Sequence, residues 1–164
     1  MDDYSLEVKN FCDIQLNDLN VHINNLPDKE YACAGIISNM AHLESRKGNK
    51  YGFFELQDKS GSMEFRLFGE TYLKLQHFMA PGNFLYVRGK VQLKGKKFNP
   101  DGKQKEFSVQ YVELLTNIRE RLLKKVYLRF DATLVSRESL AELEEVFAKY
   151  EGGRTVYLLS LIHI

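Results

Sequence analysis

Apolar and polar residues alternate with a period of two along much of the chain between residues 31 and 115, and this pattern predicts β-strands. We predict five strands, at 31–43, 50–58, 62–68, 83–95 and 106–115. The turn sequence D-K-S-G joins the second strand to the third, and its length is typical of an antiparallel hairpin. Gly35, in the middle of the first strand, predicts a bulge or a tight bend.

Within this region the period becomes helical only between residues 69 and 80. Tyr72, Leu75 and Phe78 recur at helical spacing, and Pro81-Gly82 ends the helix. The order β-β-β-α-β-β predicts a mainly β fold, the OB-fold, which is a five-stranded Greek-key barrel with one helix between strands three and four. Such barrels bind ligands on the outer face of strands two and three, beside the loops that are here 44–49 and 96–104.

The two ends of the chain differ from the barrel. Residues 1–30 show no sustained periodicity of apolar residues, and we predict a lead-in linker with at most a short helix. Residues 31–115 form the predicted OB-fold domain, and 116–164 predict an α+β extension of a strand, a helix capped by Ser136 and a last strand. Because strand-helix-strand alone cannot bury two faces, we expect it to pack on the barrel or to begin a C-terminal domain that continues beyond Ile164.

Charge is segregated along the chain, although the net charge is only +1. Residues 1–30 carry seven Asp and Glu against two Lys, whereas 31–115 carry thirteen Lys and Arg against eight Asp and Glu. Most of this basic excess lies in 88–105. Such a stretch is typical of proteins that bind a phosphate backbone, and a solvated lysine-rich hairpin is the alternative interpretation.

The sequence offers little that could form a catalytic or metal site. The four histidines lack metal-ligand spacing, and no nucleotide-binding or nucleophile motif is present. We therefore expect no catalytic residue, metal, cofactor or small-molecule substrate in this chain. Cys12 and Cys33 are interpreted as structural thiols. With neither a signal peptide nor a long apolar run, the sequence predicts a cytoplasmic protein without a membrane partner.

The alternation in 51–68 separates a core face from an outer face. The more apolar set, which we predict to face the core, is Phe54, Leu56, Met63, Phe65 and Leu67. The other set points outward by its parity and includes Tyr51, Phe53, Arg66 and Phe68, although Phe68, at the strand end, is expected to pack beneath the helix. Exposed rings beside cations are typical of single-strand binding, because bases stack on rings while cations follow the phosphates.

This argument predicts a nucleic-acid-binding surface made of the outer face and the basic strands and loops beside it. Its predicted residues are Arg46, Lys47, Lys50, Tyr51, Phe53, Arg66, Arg88, Lys94, Lys96, Lys97, Phe98 and Lys103. Glu55 and Glu64 lie on the same outer face and are expected to repel phosphates, which limits the affinity.

The most specific motifs are A-G-I-I-S-N, Y-G-F-F-E-L-Q-D-K-S-G-S-M-E-F-R-L-F-G-E-T-Y and P-G-N-F-L-Y-V-R-G-K-V, which lie within 31–115. They resemble the OB domain of the bacterial replicative DNA polymerase III alpha subunit, and the lead-in D-D-Y-S-L-E-V-K-N-F resembles the segment that enters it. The resemblance implies a noncatalytic fragment of a DNA-directed DNA polymerase, a nucleotidyltransferase. It also implies binding to the single-stranded template, with the other domains of the subunit, the clamp and the clamp loader as partners.

Two other functions are compatible with the sequence. The acidic residues on the outer face and the incomplete extension favour a protein-interaction module that docks within the replisome. Because related OB modules occur in aminoacyl-tRNA synthetases, a tRNA-binding domain is a further alternative, which would prefer a structured RNA loop to a DNA strand.

Overall fold

The computed structural model describes residues 4–95, 99–131, 135–150 and 152–161. The strands are Glu30–Glu44 (β1), Lys50–Gln57 (β2), Ser62–Phe68 (β3), Phe84–Leu93 (β4), Lys105–Leu114 (β5), Lys125–Asp131 (β6) and Thr155–Leu161 (β7). The α-helices are Ser5–Phe11 (α1), Leu16–His22 (α2), Gly69–Leu75 (α3), Leu115–Leu122 (α4) and Arg137–Lys149 (α5). Short 3₁₀ turns follow α2 at Ile23–Asn25 and α3 at Gln76–Phe78.

The first five strands form one antiparallel sheet in the order β3-β2-β1-β4-β5, and α3 connects β3 to β4. Phe65 on β3 and Phe107 on β5 meet edge to face with ring centroids 5.7 Å apart, although their strands stand at opposite ends of that order. This contact joins the two outer strands around a shared core. The predicted five-stranded OB-fold barrel is confirmed.

The core face of β2 and β3 is the one that the alternation predicted. Phe54, Leu56, Phe65 and Leu67 are each at most 2% exposed, and Met63 is partly buried against the same cluster. The rings of Phe54 and Phe65 stack at 5.3 Å. Each such side chain contributes about 1.5–3 kcal/mol by leaving water, so this parity fixes which residues remain on the outer face.

Gly35 marks an unusual backbone position in β1, for a reason other than the predicted bulge. A Cβ at Gly35 would lie 2.8 Å from the carbonyl oxygen of Gln57, so the close approach of β2 requires glycine. The register shift of the β1–β2 ladder falls later, between Ile37 and Asn39.

The first thirty residues differ from the predicted linker with at most a short helix, because they contain the two helices α1 and α2 and a 3₁₀ turn. Leu16 and Leu19 of α2 are fully buried in the barrel core. Asp58, in the β2–β3 turn, accepts a hydrogen bond at 2.9 Å from the Leu16 amide and so caps α2. Seven-residue helices are too short to show a clear period, and the cap lies 42 residues away in sequence.

A second apolar cluster covers the outer side of β1 and β4. Ala32, Ala34 and Tyr86 pack there with Leu115 and Ile118 of α4. Partly buried side chains of α1, among them Val8 and Phe11, complete this outer cluster. Helices α1 and α4 are also joined by an ion pair, in which Arg119 donates from Nε to Glu7 Oε1 at 2.8 Å.

Residues 120–164 form a compact unit that is separate from residues 1–119. In this unit β6 and β7 pair in parallel and α5 connects them, as the predicted strand-helix-strand extension requires. Ser136 caps α5 by accepting a hydrogen bond from the Ser139 amide at 3.1 Å. The first strand of this extension is predicted at 126–135, and its residues 132–134 lie outside the described residues.

Candidate nucleic-acid interface

An open groove of about 1230 Å³ lies on the outer face of β2 and β3, at the end where β1 turns into β2. Of the residues that the sequence predicted for binding, it brings together Lys50, Tyr51, Phe53 and Arg66. Leu43 of β1 and Leu73 of α3 form its apolar rim and are 40% and 54% exposed. The groove therefore combines rings, cations and apolar surface on one face of the sheet.

The outward side chains of β2 and β3 meet in successive cross-strand pairs. Tyr51 stands opposite Phe68, Phe53 opposite Arg66, and Glu55 opposite Glu64, which gives an outer ladder of three rungs. In the first rung the two rings are stacked, 5.7 Å apart and inclined by only 15°. The ladder therefore changes from aromatic to cationic to acidic along its length.

Phe68 is 59% exposed, so the prediction that it packs beneath the helix is wrong. Gly69 has φ +54° and turns the chain directly after β3, and this conformation suits glycine. The turn leaves the Phe68 ring on the outer face, while Tyr72 is the residue of α3 that becomes buried. The outward parity and the register opposite Tyr51 were the signals in the sequence that could have identified Phe68.

Arg66 lies in the groove with its side chain 68% exposed. Its Nε donates to Glu64 Oε1 at 2.7 Å, which holds the side chain along the outer face. No hydrogen bond from its two terminal nitrogens to another described residue is present, so they remain available to a ligand.

The two carboxylates of the third rung are engaged differently. Glu55 accepts hydrogen bonds from the hydroxyls of Ser38 and Ser62, at 3.0 Å and 2.8 Å. Glu64 pairs with Arg66 and lines the groove, whereas Glu55 is not among the lining residues. The expected repulsion of phosphates is therefore reduced on the Glu64 side by the adjacent guanidinium.

The β1–β2 loop is ordered by its own hydrogen bonds beside the groove. Ser45 accepts from the amides of Gly48 and Asn49, through its carbonyl and its hydroxyl respectively, and Gly48 has φ +76°. Arg46 and Lys47 are exposed at the tip of this loop. Both cations are thus presented near the aromatic rung, because Ser45, Gly48 and Asn49 themselves line the groove.

The β4–β5 loop is organised by the buried side chain of Asn99. Its Oδ1 accepts from the amides of Lys103 and Gln104 and its Nδ2 donates to the Gln104 carbonyl, all at 3.0 Å. Lys103 is exposed, and Lys94 approaches Gln104 through its Nζ at 3.4 Å. The remaining predicted residues of this loop, Lys96, Lys97 and Phe98, lie outside the described residues.

Arg88 is a predicted binding residue that the structure places apart from the groove. On β4 it stands opposite Ala32 and Tyr111, and its guanidinium lies over the Tyr111 ring at 5.6 Å. Ala32 belongs to the outer cluster that α1 and α4 cover. Arg88 therefore flanks that cluster and does not line the groove.

The remaining polar chemistry is structural. Within the described ranges, no group of three or more His, Cys, Asp and Glu could hold a metal ion. Burial raises the pKa of Cys12 to about 12 and that of the fully buried Cys33 well above its usual value, so both remain thiols at neutral pH. In the same described part of the chain, no helix is long and apolar enough to cross a bilayer.

The barrel and its groove define an OB-fold nucleic-acid-binding module. Residues 31–115 match the family described as OB-fold nucleic acid binding domain, and the chain belongs to that family.

The resemblance to DNA polymerase III subunit alpha is confirmed. The chain is 24% identical to that subunit of Bacillus subtilis over 123 residues, which is 75% of this chain and 10% of the relative. It is 26% identical to the subunit of Pseudomonas aeruginosa over 164 residues, which is 96% of this chain and 13% of the relative. The chain thus spans about a tenth of the length of the curated relatives it matches.

Among solved structures, the chain is similar to Rim1, a mitochondrial single-stranded DNA binding protein from S. cerevisiae. The identity is 17%, the match covers 54% of this chain and 97% of that chain, and the TM-score is 0.39. At this score the likeness adds nothing to the argument from the fold.

Proposed function

We propose that this chain is a noncatalytic OB-fold module of a replicative DNA polymerase alpha subunit, and that it binds single-stranded template DNA in the groove. The observation that carries the proposal is the stacked pair of the half-buried Tyr51 and the exposed Phe68, continued by Phe53 and Arg66 in the same groove. Rings of this kind stack on bases regardless of sequence, while adjacent cations follow the phosphates.

The relatives supply the cellular context of the proposal. Two DNA polymerase III alpha subunits match this chain over a small part of their length. We assign 31–115 to the DNA-binding domain, 1–30 to a lead-in and 116–164 to the start of a following domain. Partners in this assignment are the other domains of the subunit, the clamp and the clamp loader, in the cytoplasm.

A fluorescent oligonucleotide titration at two salt concentrations tests the proposal. A single strand of about 12 nucleotides covers the site size of one OB barrel. If about three phosphates are contacted, log K falls with log salt with a slope of about −2. Replacing both Arg46 and Lys47 by Ala should weaken binding and make this slope shallower.

The aromatic part of the interface is tested separately from the charge. Tyr51→Ala with Phe53→Ala should weaken binding by about 2–6 kcal/mol if both rings stack on bases. The proposal is wrong if the unaltered chain fails to bind at low salt, or if the double variant binds as well as the parent. Preference for a structured RNA loop would select a tRNA-type domain, and salt-insensitive binding to a polymerase fragment without DNA binding would select a protein-interaction module.

A further inference from the structure

The third rung of the ladder places two glutamates opposite each other, and their carboxylates differ in how they are hydrogen-bonded. Each oxygen of Glu55 already accepts a hydrogen bond, because Ser38 Oγ donates to Oε2 at 3.0 Å and Ser62 Oγ donates to Oε1 at 2.8 Å, and Glu55 does not line the groove. These bonds hold the Glu55 carboxylate between β1 and β3.

Glu64 is bound at one oxygen only. Its Oε1 accepts from Arg66 Nε at 2.7 Å, and no described residue donates a hydrogen bond to Oε2. The side chain is 43% exposed and lines the groove. An ionised carboxylate is an acceptor with no proton to donate, so Oε2 presents one fixed acceptor toward a ligand.

This acceptor lies beside the rung on which a base would stack. Glu64 precedes Arg66 by two residues on β3, so the two side chains leave the same face about 7 Å apart. A base stacked on the Phe53–Arg66 rung would lie over that rung with its edge toward Glu64. Carboxylates accept from the exocyclic amino group of cytosine, whereas uracil and thymine present a carbonyl oxygen at the same position.

We propose that Glu64 is a specificity-determining residue of the groove, which accepts a hydrogen bond from the amino group of a bound base and so favours cytosine over uracil and thymine. Arg66 orients the carboxylate, and Glu55 takes no part in base recognition. This inference rests on the proposed function, because it needs a single strand in the groove.

Two oligonucleotides that differ at the base edge provide the test. Single strands of about 12 deoxycytidines or 12 deoxyuridines have the same length, charge and ring size, which suits one OB barrel. The 164-residue chain is titrated with each at low salt and near pH 7.5. A single hydrogen-bond acceptor discriminates between bases less than a bidentate contact does. The deoxycytidine strand should therefore bind about fivefold more tightly than the deoxyuridine strand.

Glu64→Gln is the informative variant and Glu55→Gln is its matched control on the same rung. Both remove one negative charge, so both should tighten binding to either strand. Only Glu64→Gln should reduce the cytosine preference to within about twofold, because an amide can both donate and accept and therefore suits either base edge. Circular dichroism confirms that both variants keep the fold.

The outcomes separate this inference from the proposed function. Equal, salt-dependent binding of deoxycytidine and deoxyuridine strands by the unaltered chain overturns the role of Glu64 and leaves DNA binding intact. An unchanged preference in Glu64→Gln also overturns it, because Glu64 would then act only as the counter-charge of Arg66. Absence of binding to either strand contradicts the proposed function and the inference together.

Discussion

Tyr51 and Phe68 stack on each other at the surface of the barrel, where the Phe68 ring is largely exposed and the Tyr51 side chain is half-buried. Phe68 is 59% exposed and is bordered by Leu43 and Leu73, which are 40% and 54% exposed. A continuous exposed apolar patch of this kind is typical of an interaction site, because scattered surface residues do not gather in one groove. At the scale of single residues, we therefore test base stacking by substituting Tyr51, whose ring is half of the stacked pair.

Tyr51→Ala should weaken binding to a short single strand by about 1–3 kcal/mol, because one stacking platform is lost. Tyr51→Phe keeps the ring and removes only the hydroxyl, so it should bind within about twofold of the parent. Fluorescence anisotropy at low salt measures both. Equal losses in the two variants would show that the hydroxyl, and not stacking, is what matters.

Gly89 on β4 has no space for a side chain. A Cβ there would lie 2.4 Å from the Ser108 carbonyl oxygen and 2.6 Å from the Phe107 ring. Gly89→Ala should therefore destabilise the chain by about 1–3 kcal/mol or more, since backbone and ring must both move. Gly95, where a Cβ meets no described atom within 4 Å, is the control. Urea denaturation compares the two variants, and equal midpoints would contradict this interpretation.

At the scale of elements, one side chain connects the β2–β3 hairpin to α2. Asp58 Oδ1 accepts from the amides of Ser60 and Gly61 within the turn, at 2.7 Å and 3.0 Å. Its Oδ2 accepts from the Leu16 amide at the start of α2. The same carboxylate thus shapes the turn and caps the helix that buries Leu16 and Leu19.

Asp58→Ala should lower the free energy of unfolding by about 1–3 kcal/mol, because three backbone amides lose their acceptor. Asp58→Asn keeps one acceptor oxygen and should lose less. The exposed turn residue Asp101 is the control, and Asp101→Ala should change stability by less than about 0.5 kcal/mol. The measurement is chemical denaturation, and an Asp58→Ala variant as stable as the parent would refute the capping role.

Elements in which a regular apolar pattern continues over many residues were predictable from the sequence, whereas contacts between distant elements were not. The alternation in β2 and β3 spans fifteen residues and places Phe54 and Phe65 in the core as observed. Helix α2 shows only two buried leucines, and its cap lies in a hairpin 42 residues later. Local pattern carries no information about such a partner.

The same limit explains what was missed in the groove. The outward parity gave Tyr51, Phe53 and Arg66, which lie together. The position of the Phe68 ring depends on how Gly69 turns the chain. The position of Arg88 relative to the groove depends on which outer face of the barrel α1 and α4 cover. Both are consequences of tertiary packing.

At the scale of the whole molecule, burial is concentrated in one of the two compact units. Among the described residues, Ile118 is the last along the chain whose side chain is buried. The unit of residues 120–164 contains the β6–β7 pair and α5, and the side chains described in these elements, which in β7 end at Leu159, are exposed or half-buried. Because buried apolar area supplies most of the stability of a fold, the two units should differ in resistance to opening.

Hydrogen exchange should reveal this difference within one sample. Amides of β6 and β7 should exchange faster than those of β1 and β4, by on the order of 100-fold or more, because they open without unfolding the barrel. Mass spectrometry of peptic fragments measures this, with the core strands as the internal reference. Uniform protection across all seven strands would contradict the prediction.

The ion pair between Glu7 and Arg119 joins residues that are 112 positions apart. At a synthesis rate of about 5–20 residues per second, α1 is synthesised roughly 6–22 s before its partner on α4. During that interval Val8 and Phe11 cannot pack on α4, and for most of it β4, which ends at Leu93, has not yet been made. Because α4 begins at Leu115, directly after β5 ends at Leu114, this surface is covered as soon as the last strand of the barrel is made.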